Sequence, residues 1–134
     1  MFKKLHLLWL VVFCTFVMSG CKGAENPFHM VPIQKIETQI NGKYSQAQVR
    51  DAILKAGEGR KWQMKQEGNG VIRATYTRQG HTAVVRIKYS TKSYSIDYVS
   101  SENLYATEDG RIHSNYMRWI QNLNKDTQVF LSRN

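Results

Sequence analysis

Between Lys61 and Val99, apolar and polar residues alternate with a period of two, and turn-forming residues interrupt the alternation at three places. A period of two sends successive side chains to opposite faces of a strand, so this stretch is expected to form a sheet with one buried face. The strand segments run over 61–66, 71–78, 81–89 and 93–99. Glu67-Gly68-Asn69-Gly70, Gln79-Gly80 and Ser90 to Lys92 separate them. Connections this short join antiparallel neighbours, which predicts a four-stranded meander. Trp62, Met64, Ile72, Ala74, Tyr76, Val85, Ile87, Tyr94 and Ile96 fall on the core face. The opposite face takes Lys61, Lys65, Arg73, Arg86 and Lys88, with Thr75, Thr77 and Thr82 between them and Asp97 as its only acid.

A helix is expected over 46–56. Ser45 and Gln48 form a capping box, and Tyr44 and Val49 occupy the two positions of a hydrophobic staple. Val49, Ala52, Ile53 and Ala56 make one apolar stripe, and Gly57 is placed to end the helix. After a loop over 100–110, Ile112, Tyr116, Trp119, Ile120 and Leu123 form a second stripe, with Asn124 as its expected stop. Thr127 to Leu131 is apolar enough to pack, as a helical turn or as a strand, and Ile33, Ile36 and Ile40 suit a short extended piece. The predicted fold class is α+β, two-layer: a four-stranded antiparallel meander with an N-terminal and a C-terminal helix packed on one face, the other face open.

The chain begins with Lys3 and Lys4, followed by uncharged Leu7 to Met18 and then Ser19-Gly20-Cys21. The apolar run has the length of a signal-peptide core and is short of the ~20 residues a bilayer span needs. Small residues before a cysteine make a lipobox. The expected organisation is a lipoprotein signal peptide over 1–20, a lipidated tether over 21–32 and a single α+β domain over 33–134. Cys21 is the expected lipidation site, and two or three acyl chains at about 0.8 kcal/mol per buried methylene would hold it firmly. Lys22, rather than Asp, follows the cysteine, which points to the outer membrane facing the periplasm.

Without residues 1–20 the chain has 114 residues and a net charge of +7, because the signal contains two of the 19 basic residues and none of the ten acids. Cys14 leaves with the signal and Cys21 is acylated, so the domain has no thiol for a disulfide, a metal or a nucleophile. The basic balance fits an anionic lipid, lipopolysaccharide, peptidoglycan carboxylates or an acidic protein partner. A lipidated envelope protein does not routinely meet nucleic acid. No cofactor is expected beyond the covalent lipid.

The stretch Ile112-His113-Ser114-Asn115-Tyr116-Met117-Arg118-Trp119-Ile120-Gln121-Asn122-Leu123 resembles the terminal helix motif I-H-x-x-Y-N-x-W-I-x-x-L of small uncharacterised proteobacterial lipoproteins. Tyr94-Ser95-Ile96-Asp97-Tyr98 and Ser101-Glu102-Asn103-Leu104 are similar to the same family. The resemblance implies a periplasm-facing lipoprotein with an α+β layout and implies no activity. Met117 stands where the motif has Asn.

Three histidines follow the signal: His29, His81 and His113. His113 beside Ser114, Ser101 or Glu102 could be drawn as a hydrolytic site, but sequence adjacency does not supply nucleophile–base–orienter geometry. No HxH, HxxxH or HExxH spacing is present, Glu102, Glu108 and Asp109 do not make a calcium loop, and Gly68-Asn69-Gly70 is a hairpin turn rather than a phosphate loop. The expectation is a non-catalytic binding or assembly module, with an envelope hydrolase using His113 or His81 as the alternative. Its binding surface is expected on the basic sheet face, or at a helix–sheet edge near Tyr116 and Trp119, since such residues combine large area with a polar tip.

Overall fold

The computed structural model describes residues 29–134; the signal segment, Cys21 and the tether as far as residue 28 lie outside the described residues. The elements run β1 (Met30–Pro32), β2 (Ile36–Gln39), α1 (Gln46–Gly59), β3 (Gln63–Gly68), β4 (Val71–Arg78), β5 (His81–Tyr89), β6 (Ser93–Glu102), β7 (Arg111–His113) and α2 (Ser114–Leu131). The α+β class stands. The four expected strands are consecutive neighbours β3 to β6, but the sheet is five-stranded, in the order β2-β6-β5-β4-β3. The added strand, β2, pairs antiparallel with β6, setting Ile36 opposite Ile96 and Thr38 opposite Tyr94. β1 and β7 form a separate two-stranded sheet. Met30 to Pro32, at the end of the expected tether, therefore pair with Arg111 to His113, and the amide of Ser114 donates to the carbonyl of His29.

The alternation sorts the faces of the meander as expected. Ile72, Ala74, Ala83, Val85, Ile87, Tyr94 and Ile96 are buried in one cluster with Val49, Ala52, Ile53 and Ala56 of α1 and Tyr116, Ile120 and Leu123 of α2. Both helices thus cover one face. Gln79 and Gly80 make the two-residue connection between β4 and β5, both at positive φ (50° and 79°), as a type I′ turn requires. A bulge opposite Val84 and Val85 lets β6 continue to Glu102, so Ser100 and Ser101, expected in a loop, pair with Val84 and Ala83.

The helix ends differ from expectation. The Ser45–Gln48 capping box is present, but α1 passes through Gly57. A side chain there would run into Met64, so Gly57 serves close packing of α1 on β3. Termination comes later: the amide of Lys61 donates to Glu58 and that of Trp62 to Gly57, at 3.0 and 2.9 Å, with Lys61 at φ 65°. This is a Schellman motif whose left-handed position, usually glycine, is a lysine. Ile112 belongs to β7 rather than to the second helix, and His113 caps α2, its Nδ1 accepting from the amide of Asn115 at 3.1 Å. α2 runs past Asn124 to Leu131. Asn124 is an acceptor inside the helix: its Oδ1 takes the Tyr94 hydroxyl at 2.5 Å and the Thr38 hydroxyl at 2.8 Å, tying β6 and β2 to α2.

Candidate binding groove

The Schellman turn has a consequence at the end of the sandwich. It swings the chain from α1 into β3, leaving Arg60 and Lys61 at the mouth of a groove and Trp62 in its floor. The ends of β4 and β5 supply Tyr76, Arg78, Gln79 and His81. One flank of α2 supplies Asn115, Arg118, Trp119 and Asn122, residues at helical spacings of three and four. The volume is about 530 Å³, within the ~300–1,000 Å³ range of small-ligand sites.

The floor is aromatic. Trp62 is 4% exposed, whereas Tyr76 and Trp119 are half-buried. Tyr76 sits between the indoles, 5.2 Å from Trp62 at a tilt of 31° and 4.8 Å from Trp119 edge to face. Such contacts lock rings beyond what burial alone achieves. The rim is cationic. Arg60 is committed to Asp126 through two hydrogen bonds of 2.5 and 3.2 Å, and this bonding raises its pKa further. Lys61, Arg78 and Arg118 have no ion-pair partner among the described residues, and the groove lining contains no carboxylate. The lining's other polar side chains are the amides of Gln79, Asn115 and Asn122, the Tyr76 hydroxyl and the His81 ring. His81 Nδ1 lies 2.7 Å from the carbonyl oxygen of Asn103, which can only accept, so the proton sits on Nδ1.

Backbone strain gathers at the same place. Among the described residues, four non-glycine residues have positive φ: Lys61, Gln79, Asn103 and Tyr105. The first two line the groove, and the third holds His81 and donates from its own Nδ2 to Gly80 at 2.7 Å. Left-handed conformations are costly for residues with a Cβ and cluster at functional sites.

The residues expected to bind are distributed differently from the expectation. Lys61 leaves the sheet face for the groove, because it is the helix-terminating residue and precedes β3. Lys65, Arg73, Arg86 and Lys88 do share the open face, but Asp97 is not its only acid. Glu67, extruded by the bulge between Gln66 and Gly68, reaches Arg73 at 3.7 Å and Arg86 at 3.6 Å. Those two arginines are directly opposite each other, and Arg86 also pairs across from Asp97. The two arginines of the face are thus offset by Glu67, whereas Lys65 and Lys88 have no ion-pair partner among the described residues. Of the expected edge pair, Trp119 lines the groove, whereas Tyr116 is fully buried, edge to face on Tyr98 at 5.5 Å. Its hydroxyl has no hydrogen-bond partner among the described residues, and burial pushes its pKa well up. Met117 is half-buried against the core.

The structure places the hydrolytic candidates apart from the groove or without a nucleophile in it. His113 spends Nδ1 on the α2 cap, Ser101 is hydrogen-bonded to Tyr98 at 2.9 Å, and neither lines the groove. His81 does line it, without a serine, threonine, cysteine or carboxylate among the lining residues. Sequence reasoning missed Arg78, Gln79, Asn115, Arg118 and Asn122. The available signal was the polar row Asn115, Arg118, Asn122 beside the apolar stripe of α2. No protein-family model, curated protein or solved structure matches the chain.

Proposed function

We propose that this protein is a lipid-anchored envelope lipoprotein facing the periplasm from the outer membrane, and that it binds an anionic envelope component without catalysing a reaction. Membership of the small-lipoprotein family that the α2 sequence resembles is part of the same proposal. One observation carries the binding reading: Lys61, Arg78 and Arg118, all without carboxylate partners among the described residues, surround an aromatic floor. An unpaired cation in a concavity attracts anions more strongly than one on a flat wet surface, because low-dielectric walls focus its field. The sheet face, with Glu67 and Asp97 among its arginines, supports binding less well.

The anchor fits the position of the groove. With lipid on Cys21, a reach of at most ~3.3–3.6 Å per residue would put His29 within about 30 Å of the lipid. Arg118 borders both the groove and the depression containing His29, so the groove flanks the anchored end. The test is crosslinking in intact envelopes, with mass spectrometry of the captured molecules. Arg78→Glu/Arg118→Glu should lose an anionic capture product that Arg73→Glu/Arg86→Glu retains. Loss in the second variant alone would return the binding site to the sheet face.

A further inference from the structure

We propose that the ligand of the groove is an anionic saccharide, a pyranose ring bearing a carboxylate or a phosphate. This deepens the anion-binding reading above and rests on it. Three features of the groove select this chemistry.

The first is the balance of donors and acceptors. A phosphate or carboxylate only accepts hydrogen bonds, so a site for a bare anion needs donors alone. This groove also presents the carboxamides of Gln79, Asn115 and Asn122, which donate and accept, and their side chains make no hydrogen bond among the described residues. Groups that donate and accept match hydroxyls, which do the same. The second is the shape of the aromatic surface. A nucleobase stacks on an open ring face. Here Trp62 is tilted over one side of Tyr76, Trp119 abuts Tyr76 edge to face, and Trp62 is almost wholly covered. What remains part-exposed is Tyr76 and Trp119, set edge to face and so offering no pair of parallel open faces, an apolar surface suited to the C–H groups of a puckered ring with hydroxyls at its margin. The third is the charge. Arg118 lies on the same helix flank as Asn115 and Asn122, so a ring held by the amides would carry its anionic substituent within reach of a guanidinium that can bind it in bidentate fashion.

Carboxylated sugars occur in the cell wall and phosphorylated sugars in lipopolysaccharide, and the shared chemistry is a charged pyranose. The test uses the full chain, extracted from envelopes in neutral detergent, with tryptophan fluorescence and calorimetry as readouts. The probes are the N-acetylglucosamine–N-acetylmuramic acid disaccharide, N-acetylglucosamine 1-phosphate, neutral N,N′-diacetylchitobiose, hexaglutamate and oligothymidylate. Binding of either charged sugar, about tenfold tighter than chitobiose, is the expected result; the tighter of the two identifies the wall or lipopolysaccharide as the source. Arg118→Gln should abolish the preference for charged over neutral sugar, and Asn122→Ala should weaken both sugars while leaving hexaglutamate unchanged. Chitobiose binding as tightly as the charged sugars overturns the proposal. Hexaglutamate or oligothymidylate binding more tightly than any sugar also overturns it, while leaving the anion-binding reading intact. No binding by any of the five probes overturns both.

Discussion

Lys61 combines two opposed roles. As the left-handed residue of the Schellman turn it occupies a position that glycine fills without steric cost, and it carries a cation to the groove mouth. Lys61→Gly is therefore expected to raise stability in urea unfolding by about 1 kcal/mol, while weakening anion binding. A fall in stability would show that the lysine side chain contributes packing that outweighs the backbone strain. Tyr116 is a second residue whose chemistry runs against its surroundings, with a hydroxyl buried and unpartnered among the described residues. Tyr116→Phe removes a desolvated polar atom without emptying the ring's place, so neutral-pH stability should hold or rise by about 1 kcal/mol. Burial also raises the pKa of Tyr116 and Tyr94 in the folded chain. In the unfolded chain both ionise near ~10, so above that pH the unfolded state binds fewer protons than the folded state and stability falls as pH rises. Their stabilisation is complete below the unfolded value and is lost toward the raised folded values. Alkaline unfolding followed by circular dichroism should be less steep in Tyr116→Phe than in the parent; an equal slope would mean that Tyr116 ionises normally.

Asn124 shows how one side chain can couple elements remote in sequence. By accepting from both Tyr94 and Thr38, it joins the strand added at the sheet edge to α2. Asn124→Ala should cost about 1–3 kcal/mol, because two hydroxyls lose their acceptor. Adding Tyr94→Phe should recover part of that loss in a double-mutant cycle, and strictly additive losses would contradict the coupling. The same residue explains where sequence reasoning stopped. Asn is a poor helix former and a good terminator, and its tertiary role depends on residues 30 and 86 positions away. Strands β3 to β6 announced themselves because alternation is a local property. Strand β2 was legible only as a short extended piece around Ile36; its place in the sheet was not, because Ile36–Gln39 is four residues long and its partner lies almost 60 positions later. Gly57 is a C-terminal signal by type, but its proximity to Met64 is set by packing. The groove was least accessible of all: Trp62 and Tyr76 read as ordinary core residues, Trp119 read as a candidate edge residue, and only the fold brings the three together beneath Arg78 and Arg118.

The molecule as a whole divides its charge unevenly. On the open sheet face Glu67 and Asp97 offset the arginines, whereas at the end of the sandwich Lys61, Arg78 and Arg118 have no acid beside them in the groove lining. The chain enters the described fold at His29, whose carbonyl is bonded to the first residue of α2, the helix that forms one groove wall. Anchoring through Cys21 would therefore hold the groove near the membrane. Cys21→Ser should abolish palmitate labelling in growing cells and release the protein from the membrane fraction; equal labelling of parent and variant would refute lipidation at this residue. Whether the end groove or the sheet face meets the ligand is decided most directly by nuclear magnetic resonance. The isotopically labelled full chain in detergent is titrated with the N-acetylglucosamine–N-acetylmuramic acid disaccharide. Saturable shifts are predicted at the backbone amides of Lys61, Arg78 and Arg118 and at the Trp119 indole N–H, diminishing as salt is raised because exposed charges are screened beyond about 10 Å at 0.1 M. Shifts confined to Arg73, Arg86 and Lys88, or no shifts at all, would contradict binding in the groove.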